Sequence, residues 1–507
     1  MIDIDSADLT LGIVGTGAMG RGIAQIAAQA GIAVRLLDSR AGAAAQAKQE
    51  LGKTFEMLAG KGRITADAAR QAGDRLHVID AMEKLAGCHI IIEAIVEELN
   101  AKKALFAALE PIVGDNCLIA SNTSSLSITA IAVACKQPGR VGGFHFFNPV
   151  PLMKVVEVID GVLSEPWVGD ALTKLAKRIG HQPVRAADTP GFIVNHAGRG
   201  FGTEALRIVQ EGVAPFATID RILREAAGFR MGPFELMDLT GVDVSHPVME
   251  SVYDQFYQEP RFRPSYLLRQ RYVAGLLGRK VGRGFYTYRD GKAAPVPEPA
   301  LPEGKPMPVW IDAAEVEWRD ALRSVVKAAG WKLEEGEKPG ANALCLVAPL
   351  GEDATTAALA RGLDASRTVA VDMLFGLKGR RSMMTTPVTL PDCLAAACTL
   401  LKADGAAVSH LRDSPGFVAQ RVVATIVNIG CDIAQQGIAS PEDIDNAVQL
   451  GLGYRKGPLA FGDALGPMRI LRILEAMSAY TRDPRYRPSL WLIRRARLGI
   501  SLRTAEQ

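Results

Sequence analysis

Leu11-Gly-Ile-Val-Gly15-Thr-Gly17-Ala-Met19-Gly20-Arg-Gly22-Ile-Ala-Gln-Ile-Ala27 runs from an apolar strand through a glycine-rich turn into a helical pattern. Gly15, Gly17 and Gly20 fall where a dinucleotide-binding turn needs them. The first allows a tight turn, the second lets backbone approach a pyrophosphate, and the third lets the helix pack on the strand, its N-terminus facing the anion. The next strand, Ala33-Val-Arg-Leu-Leu37, ends in Asp38, at the separation where a carboxylate accepts hydrogen bonds from the adenosine ribose. A carboxylate there repels a 2′-phosphate, so NAD is favoured over NADP; Arg40 leaves an opening for the phosphorylated cofactor, and loop capping is the competing role of Asp38.

Outward from this turn, short apolar runs alternate with helical patterns, which predicts a parallel α/β unit over residues 1–187. Strands are expected at His89–Ile95, Asn116–Ala120, Val141–His145, Val155–Ile159 and Pro183–Ala187. Continuous runs such as Ile90-Ile91-Ile92 suit strands covered on both faces. Two polar loops then lie beyond strand ends, where such sheets bind ligands: Glu93-Ala-Ile95-Val96-Glu97 leading to Lys102, and Ser121-Asn-Thr-Ser124-Ser125. The serines also suit a helix N-cap.

His145 lies in Arg140-Val-Gly-Gly-Phe-His145-Phe-Phe-Asn148-Pro149, with Glu157 in the strand-like run Lys154-Val-Val-Glu157-Val-Ile159. A histidine and a carboxylate on adjoining strands can form a proton-transfer pair, because imidazole titrates near neutral pH and the carboxylate sets its tautomer. An isolated histidine on an apolar strand also suits a hydrogen-bonded core position.

The 507 residues suggest three or four domains. A net charge of +3 without a Lys/Arg-rich run argues against nucleic acid and for small-molecule chemistry. The acidic start Met1-Ile-Asp-Ile-Asp-Ser-Ala-Asp8 is unlike a secretion signal, and no apolar run approaches membrane-spanning length. A soluble, cytoplasmic protein with no membrane partner is expected. Cys88, Cys117, Cys135, Cys345, Cys393, Cys398 and Cys431 include no Cys-x-x-Cys pair and read as buried small hydrophobes; no metal site is expected.

After Asp188-Thr-Pro-Gly191-Phe-Ile-Val-Asn195 the texture turns helical through 188–290, closing in Lys280-Val-Gly-Arg-Gly-Phe-Tyr-Thr-Tyr288. Residues 291–308 are proline-dense and predict an extended linker. The remainder repeats what precedes it. Asp188-Thr-Pro-Gly-Phe192 returns as Asp413-Ser-Pro-Gly-Phe417, and Gly228-Phe-Arg-Met-Gly-Pro-Phe234 as Gly453-Tyr-Arg-Lys-Gly-Pro-Leu459, both at an offset of 225; Pro260-Arg-Phe-Arg-Pro264 returns as Pro484-Arg-Tyr-Arg-Pro488. An internal duplication follows, with a degenerate Rossmann-like region over 309–410 and a second helical repeat over 411–507. Taking Ala343-Leu-Cys-Leu-Val-Ala348 as its first strand leaves no glycine fingerprint before Asp353. Aligning Thr386-Pro387-Val388 with Asn148-Pro149-Val150 sets Met383 opposite His145 and Ala395 opposite Glu157, while Gln420 falls opposite Asn195.

The chain resembles the 3-hydroxyacyl-CoA dehydrogenase family in Gly15-x-Gly17-x-x-Gly20, Glu93-Ala-Ile-Val-Glu97, Ser121-Asn-Thr-Ser124, His145-Phe-Phe-Asn148-Pro149, Met153-Lys-Val-Val-Glu157 and Thr189-Pro-Gly-Phe-Ile-Val-Asn195. The resemblance implies a Rossmann-type NAD-binding domain followed by an all-α domain. It implies His145 as base, Glu157 as its partner, and Ser124 and Asn195 holding the substrate's 3-oxygen and the histidine. Met19, Asp38, Ile95, Val96, Glu97, Lys102, Ser124 and Asn148 would line the NAD site with the glycines. The duplicated layout is similar to long bacterial members that oxidise 3-hydroxyadipyl-CoA in phenylacetate breakdown; 3-hydroxybutyryl-CoA is the alternative substrate. A non-catalytic NAD-binding protein, as among eye-lens crystallins, and a relative acting on free hydroxy acids or sugar acids are the other readings. Because the chain opens on the dinucleotide strand, one reaction step is expected, without a fused hydratase. The helical repeats, with Ile208 and Val209 matched by Ile433 and Ala434, are expected to dock as an intrachain pseudo-dimer, with a further homo-oligomer left open. Arg199, Arg207 and Arg230 are available to a distal carboxylate, without an assignment among them.

Overall fold

A computed structural model describes residues 2–313 and 315–506. The chain forms two compact units, one holding residues 2–196 with 436–453 and the other 197–435 with 454–506.

The first unit is built on eight strands: β1 (Thr10–Val14), β2 (Ala33–Leu37), β3 (Leu76–Val78), β4 (Ile90–Glu93), β5 (Leu118–Ser121), β6 (Val141–Phe146), β7 (Val155–Asp160) and β8 (Gln182–Ala187). Their order is β3-β2-β1-β4-β5-β6-β7-β8, and only β6 and β7 pair antiparallel. The apolar run of β4 explains its central place. Side chains alternate across a strand, so Ile90 and Ile92 enter one hydrophobic core and Ile91 enters the core on the other side with Phe106. The sequence-based strands match these, except β3, whose Leu76-His-Val78 is too short to show a pattern.

The repeated Asp-x-Pro-Gly-Phe motif has a local structural cause. Asp188 accepts from Ile128 N (2.9 Å), Thr129 N (2.7 Å) and Ser127 Oγ (2.7 Å), closing the first turn of helix Ile128–Ala132. Asp413 does the same for Ala354 N (2.7 Å) and Thr355 N (3.1 Å) of helix Ala354–Ala360. In both copies the phenylalanine takes a left-handed backbone, Phe192 at φ 48° and Phe417 at φ 51°, a region where non-glycine residues are strained.

A small hairpin, β9 (Tyr288–Arg289) and β10 (Lys292–Ala293), precedes the proline-dense stretch. Residues 294–308 form no helix or strand. They are nonetheless held in the second unit, by Glu298 on Arg380 (2.6 Å) and by Gly304 N on Thr399 Oγ1 (2.8 Å).

The second sheet comprises β11 (Val309–Ala313), β12 (Leu333–Glu334), β13 (Leu344–Ala348), β14 (Thr368–Val371), β15 (Arg381–Thr385) and β16 (Val408–Leu411), in the order β12-β11-β13-β14-β15-β16. It corrects two expectations. At the offset of 225, β5 to β8 fall on β13 to β16, and β14 and β15 form the antiparallel pair as β6 and β7 do. Ala343–Ala348 is therefore the counterpart of β5, not of the first strand. Among the described residues, the half of the sheet that carries the glycine turn has no counterpart, because β12 occupies the flank of β11 where β1 flanks β4. The pairing of Met383 with His145 and of Ala395 with Glu157 fails too. Ser382 lies beside Ser409 as Glu157 lies beside Val184, and the backbone N–H of Asp372 bonds Ser382 O (2.9 Å) across from it. Asp372 and Ser382 thus stand where His145 and Glu157 face each other. Sequence alignment on the Thr-Pro pair slid past this because a strand register is set by hydrogen bonding, which a dipeptide match does not see. Gln420, placed opposite Asn195 from sequence, does occupy that position: its Nε2 donates to Pro349 O (3.2 Å) as Asn195 Nδ2 donates to Ser124 O (3.1 Å).

Asp372 is buried and accepts from Gln420 Nε2 (3.0 Å) and Leu374 N (3.1 Å), both on Oδ1. Burial raises its carboxyl to about 6 against these hydrogen bonds. A folded-state pKa above the unfolded one favours folding below about pH 4 and loses that contribution as pH rises through 6. Asp372→Asn keeps both Oδ1 bonds and removes the charge. It is expected to stabilise the protein above pH 6, by about 2–3 kcal/mol at most, and to flatten thermal stability between pH 4 and 6; melts of equal pH dependence for both proteins would refute this.

The helical blocks repeat element for element. Helices Phe216–Glu225, Pro233–Thr240 and Val242–Gln255 recur as Pro441–Leu452, Pro458–Leu465 and Pro467–Thr481. Within the second unit, helix Arg199–Gln210 crosses helix Ala419–Gln435 closely at Gly200, where a Cβ would come within 3.1 Å of Ile429 Cδ1. Ile208 and Ile433 are fully buried. Arg421 is buried against Glu204 (2.7 Å), Glu211 (2.7 Å) and the Tyr486 hydroxyl (3.0 Å). The Pro-Arg-aromatic-Arg-Pro repeat engages itself: Arg261 Nη2 donates to Arg487 O (2.7 Å) and Arg485 Nη2 to Pro260 O (3.3 Å).

Candidate active site

The glycine turn follows β1 and opens helix Ala18–Gln29. Gly15 adopts φ 95°, and a Cβ there would meet Ala94 O at 2.5 Å; a Cβ on Gly20 would lie 1.9 Å from Gly15 O. These two glycines are needed by the protein itself. Gly17 differs, because a Cβ on it would meet no atom within 4 Å. As the N-cap of the helix it receives no side-chain cap, so bare backbone and a positive helix end face open space, which fits a pyrophosphate. Met19 is half-buried in the first turn of that helix. Asp38, at the end of β2, accepts from Thr16 N (2.8 Å) and Thr16 Oγ1 (2.7 Å) on Oδ2 and from Arg40 N (3.0 Å) on Oδ1. Burial pushes its carboxyl up, but the bonds from Thr16 and Arg40 prevail and hold it below the usual range. Asp38 thus ties the glycine turn to β2.

The loop after β4 was expected to line the cofactor. Val96 is exposed and Ile95 half-buried beyond the strand end, and Glu97 and Lys102 belong to a bonded network around the serine loop. Lys102 is 1% exposed and paired with Glu93 Oε1 (2.6 Å) and Glu97 (3.4 Å). Glu93 also takes Ile95 N (2.7 Å) and Ser121 Oγ (2.6 Å). Glu97 Oε1 accepts from Thr123 Oγ1 (2.7 Å), Ser124 N (2.8 Å), Ser124 Oγ (3.1 Å) and Ser125 N (3.1 Å). Burial raises its carboxyl, yet Lys102, Thr123 and Ser124 outweigh that and keep it low, hence charged. Glu97 and Lys102 therefore shape the serine loop from beneath. Sequence reasoning did not assign this role to them, nor any role to Glu93, although all three stand in the motifs quoted.

His145 and Glu157 face each other across the β6/β7 ladder, and His145 Nδ1 lies 2.6 Å from Glu157 Oε2. Glu157 is wholly buried and His145 5% exposed. A carboxylate only accepts, so Nδ1 carries the proton and Nε2 presents its lone pair. Glu157 Oε1 accepts from Ile193 N and Val194 N, both at 2.9 Å; a main-chain role leaves no side-chain signature, so sequence did not reveal these amides. Asn195 follows directly and is tied through Nδ2 to Ser124 O (3.1 Å). Asn122, also missed, receives Phe146 N (2.9 Å) and fastens the serine loop to β6. The Phe147 ring lies tilted against the imidazole, their centroids 4.4 Å apart, and Asn148 is exposed beyond it. Glu157 links His145, near the C-terminal end of β6, to the segment Ile193–Asn195, and Asn195 links that segment to Ser124 in the loop after β5, on the side where a doubly wound sheet binds ligands.

Comparison with known proteins matches the family model for the 3-hydroxyacyl-CoA dehydrogenase NAD binding domain over residues 10–189 and that for the C-terminal domain over 191–288 and again over 416–506. The chain belongs to the 3-hydroxyacyl-CoA dehydrogenase family. It is a dehydrogenase whose cofactor is NAD. The two C-terminal matches bear out the duplicated helical domain. A relative named 3-hydroxyadipyl-CoA dehydrogenase, from Escherichia coli K12, is 38% identical over 491 residues, covering 96% of this chain and 98% of that one. Among solved structures of this family, 3-hydroxybutyryl-CoA dehydrogenase from Escherichia coli K12 superimposes with a TM-score of 0.82 at 36% identity, covering 97% of this chain and 98% of that one. The (S)-3-hydroxybutyryl-CoA dehydrogenase of Ralstonia eutropha, at 36% identity and a TM-score of 0.54, covers 55% of this chain and 99% of its own. All seven cysteines of the dehydrogenase are buried, burial pushing the Cys117 thiol up to about 12. Among the described residues no helix is long and apolar enough to cross a membrane.

Proposed function

We propose that this dehydrogenase oxidises 3-hydroxyadipyl-CoA, an L-3-hydroxyacyl-CoA, to the 3-oxoacyl thioester in phenylacetate catabolism. The observation that carries the chemistry is the 2.6 Å contact of His145 Nδ1 with Glu157. His145 Nε2 takes the proton of the 3-hydroxyl, and Glu157 offsets the charge that the imidazole acquires. Ser124 and Asn195 hold the oxygen as it becomes a carbonyl, the loop of Ser124 stiffened by Glu97 and Lys102. Gly15, Gly17, Met19, Gly20, Asp38, Ile95, Val96, Glu97, Lys102 and Asn148 would hold the cofactor. NAD, when bound, supplies the acceptor for the hydride leaving C3.

Likeness over the full duplicated length to the Escherichia coli 3-hydroxyadipyl-CoA dehydrogenase supports the dicarboxylic substrate. A solved structure of the same layout named for 3-hydroxybutyryl-CoA supports the shorter one. A panel comparing kcat/KM for the two thioesters and the free acids decides. Preference for 3-hydroxyadipyl-CoA by tenfold or more, roughly 1.4 kcal/mol, is the expected result; equal or reversed preference removes the assignment. A non-catalytic, crystallin-like role is disfavoured by the complete set of His145, Glu157, Ser124 and Asn195.

We further propose domain limits at 187, 290, 308 and 410, and a pseudo-dimer in which the second helical repeat takes the partner subunit's place. The contacts of Arg421 with Glu204 and of Arg261 with Arg487 support it. The buried thiols suit a reducing, cytoplasmic setting.

A further inference from the structure

We infer that helix Pro441–Leu452, which belongs to the repeated half, is part of the working site of the first half, with Gly451 as a positioning residue for Glu157. The inference rests on the His145–Glu157 reading above.

Residues 436–453 fold into the same compact unit as the NAD-binding domain. Ala187 N donates to Ile438 O (2.8 Å) at the end of β8, and the helix lies over β7, the strand of Glu157, and β8. Glu157 gives one oxygen to His145 and the other to the amides of Ile193 and Val194. Its orientation is therefore only as fixed as the segment bearing those amides. That segment begins with left-handed backbone at Gly191 (φ 77°) and Phe192 (φ 48°), a conformation held by its surroundings.

Val194 is one such support. It packs on Gly451, where a Cβ would lie 2.9 and 3.0 Å from the two Val194 methyl carbons. Valine has little rotamer freedom with which to give way. A side chain at 451 would push Val194, and with it the amide that holds Glu157. Glycine near a helix end costs up to about 1 kcal/mol relative to alanine, so its presence calls for a reason. The repeat itself does not require it, because the offset of 225 places Ala226 opposite Gly451. The half of the protein without a glycine turn thus supplies, through one bare backbone position, a wall of the site in the half that has one.

The test uses the full chain reducing acetoacetyl-CoA with NADH. Gly451→Val is expected to lower kcat about tenfold, a shift of a few tenths of an ångström costing less than the roughly 10²-fold of a full 1 Å misplacement, with KM for acetoacetyl-CoA and Kd for NADH unchanged. Gly451→Ala should show a smaller fall in kcat alone. Adding Val194→Ala to either variant opens the space and should restore kcat, which a general loss of stability would not allow. If Gly451→Val does not fold, the Gly451→Ala and Gly451→Ala/Val194→Ala pair makes the same comparison. Wild-type kcat in the Gly451 variants, or a fall that Val194→Ala does not reverse, overturns the inference. His145→Gln, run alongside, separates this from failure of the site reading, which falls only if that variant keeps its turnover.

Discussion

His145→Gln is expected to lower kcat about 10²–10⁴-fold, the range lost when a positioned general base is removed, while Kd for NAD stays near that of the wild type. Glutamine is close in size, and its amide can donate to Glu157 Oε2, so the buried carboxylate, held as well by Ile193 N and Val194 N, keeps its partners. What the variant lacks is a basic nitrogen at the position of Nε2. The effect is confined to turnover because the glycine turn and Asp38 lie on β1 and β2, away from β6 in the strand order. The measurement is a pair: steady-state oxidation of a 3-hydroxyacyl-CoA, and NAD binding by fluorescence or calorimetry. Turnover within a factor of a few of wild type removes His145 from the chemistry; a parallel loss of NAD binding makes it a structural residue.

Gly20→Ala is expected to weaken NAD binding about tenfold or more, roughly 1.4 kcal/mol at least, and to destabilise the chain by about 1–3 kcal/mol. The sign is diagnostic. In an ordinary helix the same change stabilises by up to about 1 kcal/mol. Here the new Cβ would stand 1.9 Å from Gly15 O and 3.3 Å from Ile13 Cγ2, and a backbone carbonyl cannot rotate aside. Helix Ala18–Gln29 must lift from β1, and the turn opens with it. Gly17→Ala is the contrasting variant: no protein atom lies within 4 Å of its Cβ, so the melting temperature should hold while NAD affinity alone falls. Equal melting behaviour for both alanine variants, with NAD bound normally by Gly20→Ala, would contradict the division of labour among the glycines.

The sheet of the first half was legible because its strands carry strong local signals. Ile90-Ile91-Ile92 must be covered on both sides, and Gly15-Thr-Gly17 cannot continue a strand. The facing of His145 and Glu157 was legible for a similar reason, since β6 and β7 are adjacent antiparallel strands and a short connection brings the two opposite each other. The second sheet was less so. Short apolar runs recur in any buried strand, and nothing in Leu344-Cys-Leu-Val-Ala348 says whether it counts as first or fifth; only its pairing with β11 and β14 does.

By itself the sequence determined which segments become strands and helices, that the chain is duplicated, and which side chains are chemically able to act. These are local properties, written in apolar periodicity and in residue type. Tertiary structure alone decided that Glu97 and Lys102 hold the serine loop, that two backbone amides steady Glu157, that Asp372 stands in the place of His145, and that Gly451 lies against Val194. Each of these depends on which segments, distant in the chain, are brought together, and local periodicity and residue type do not say which distant partner a side chain or a main-chain amide will meet.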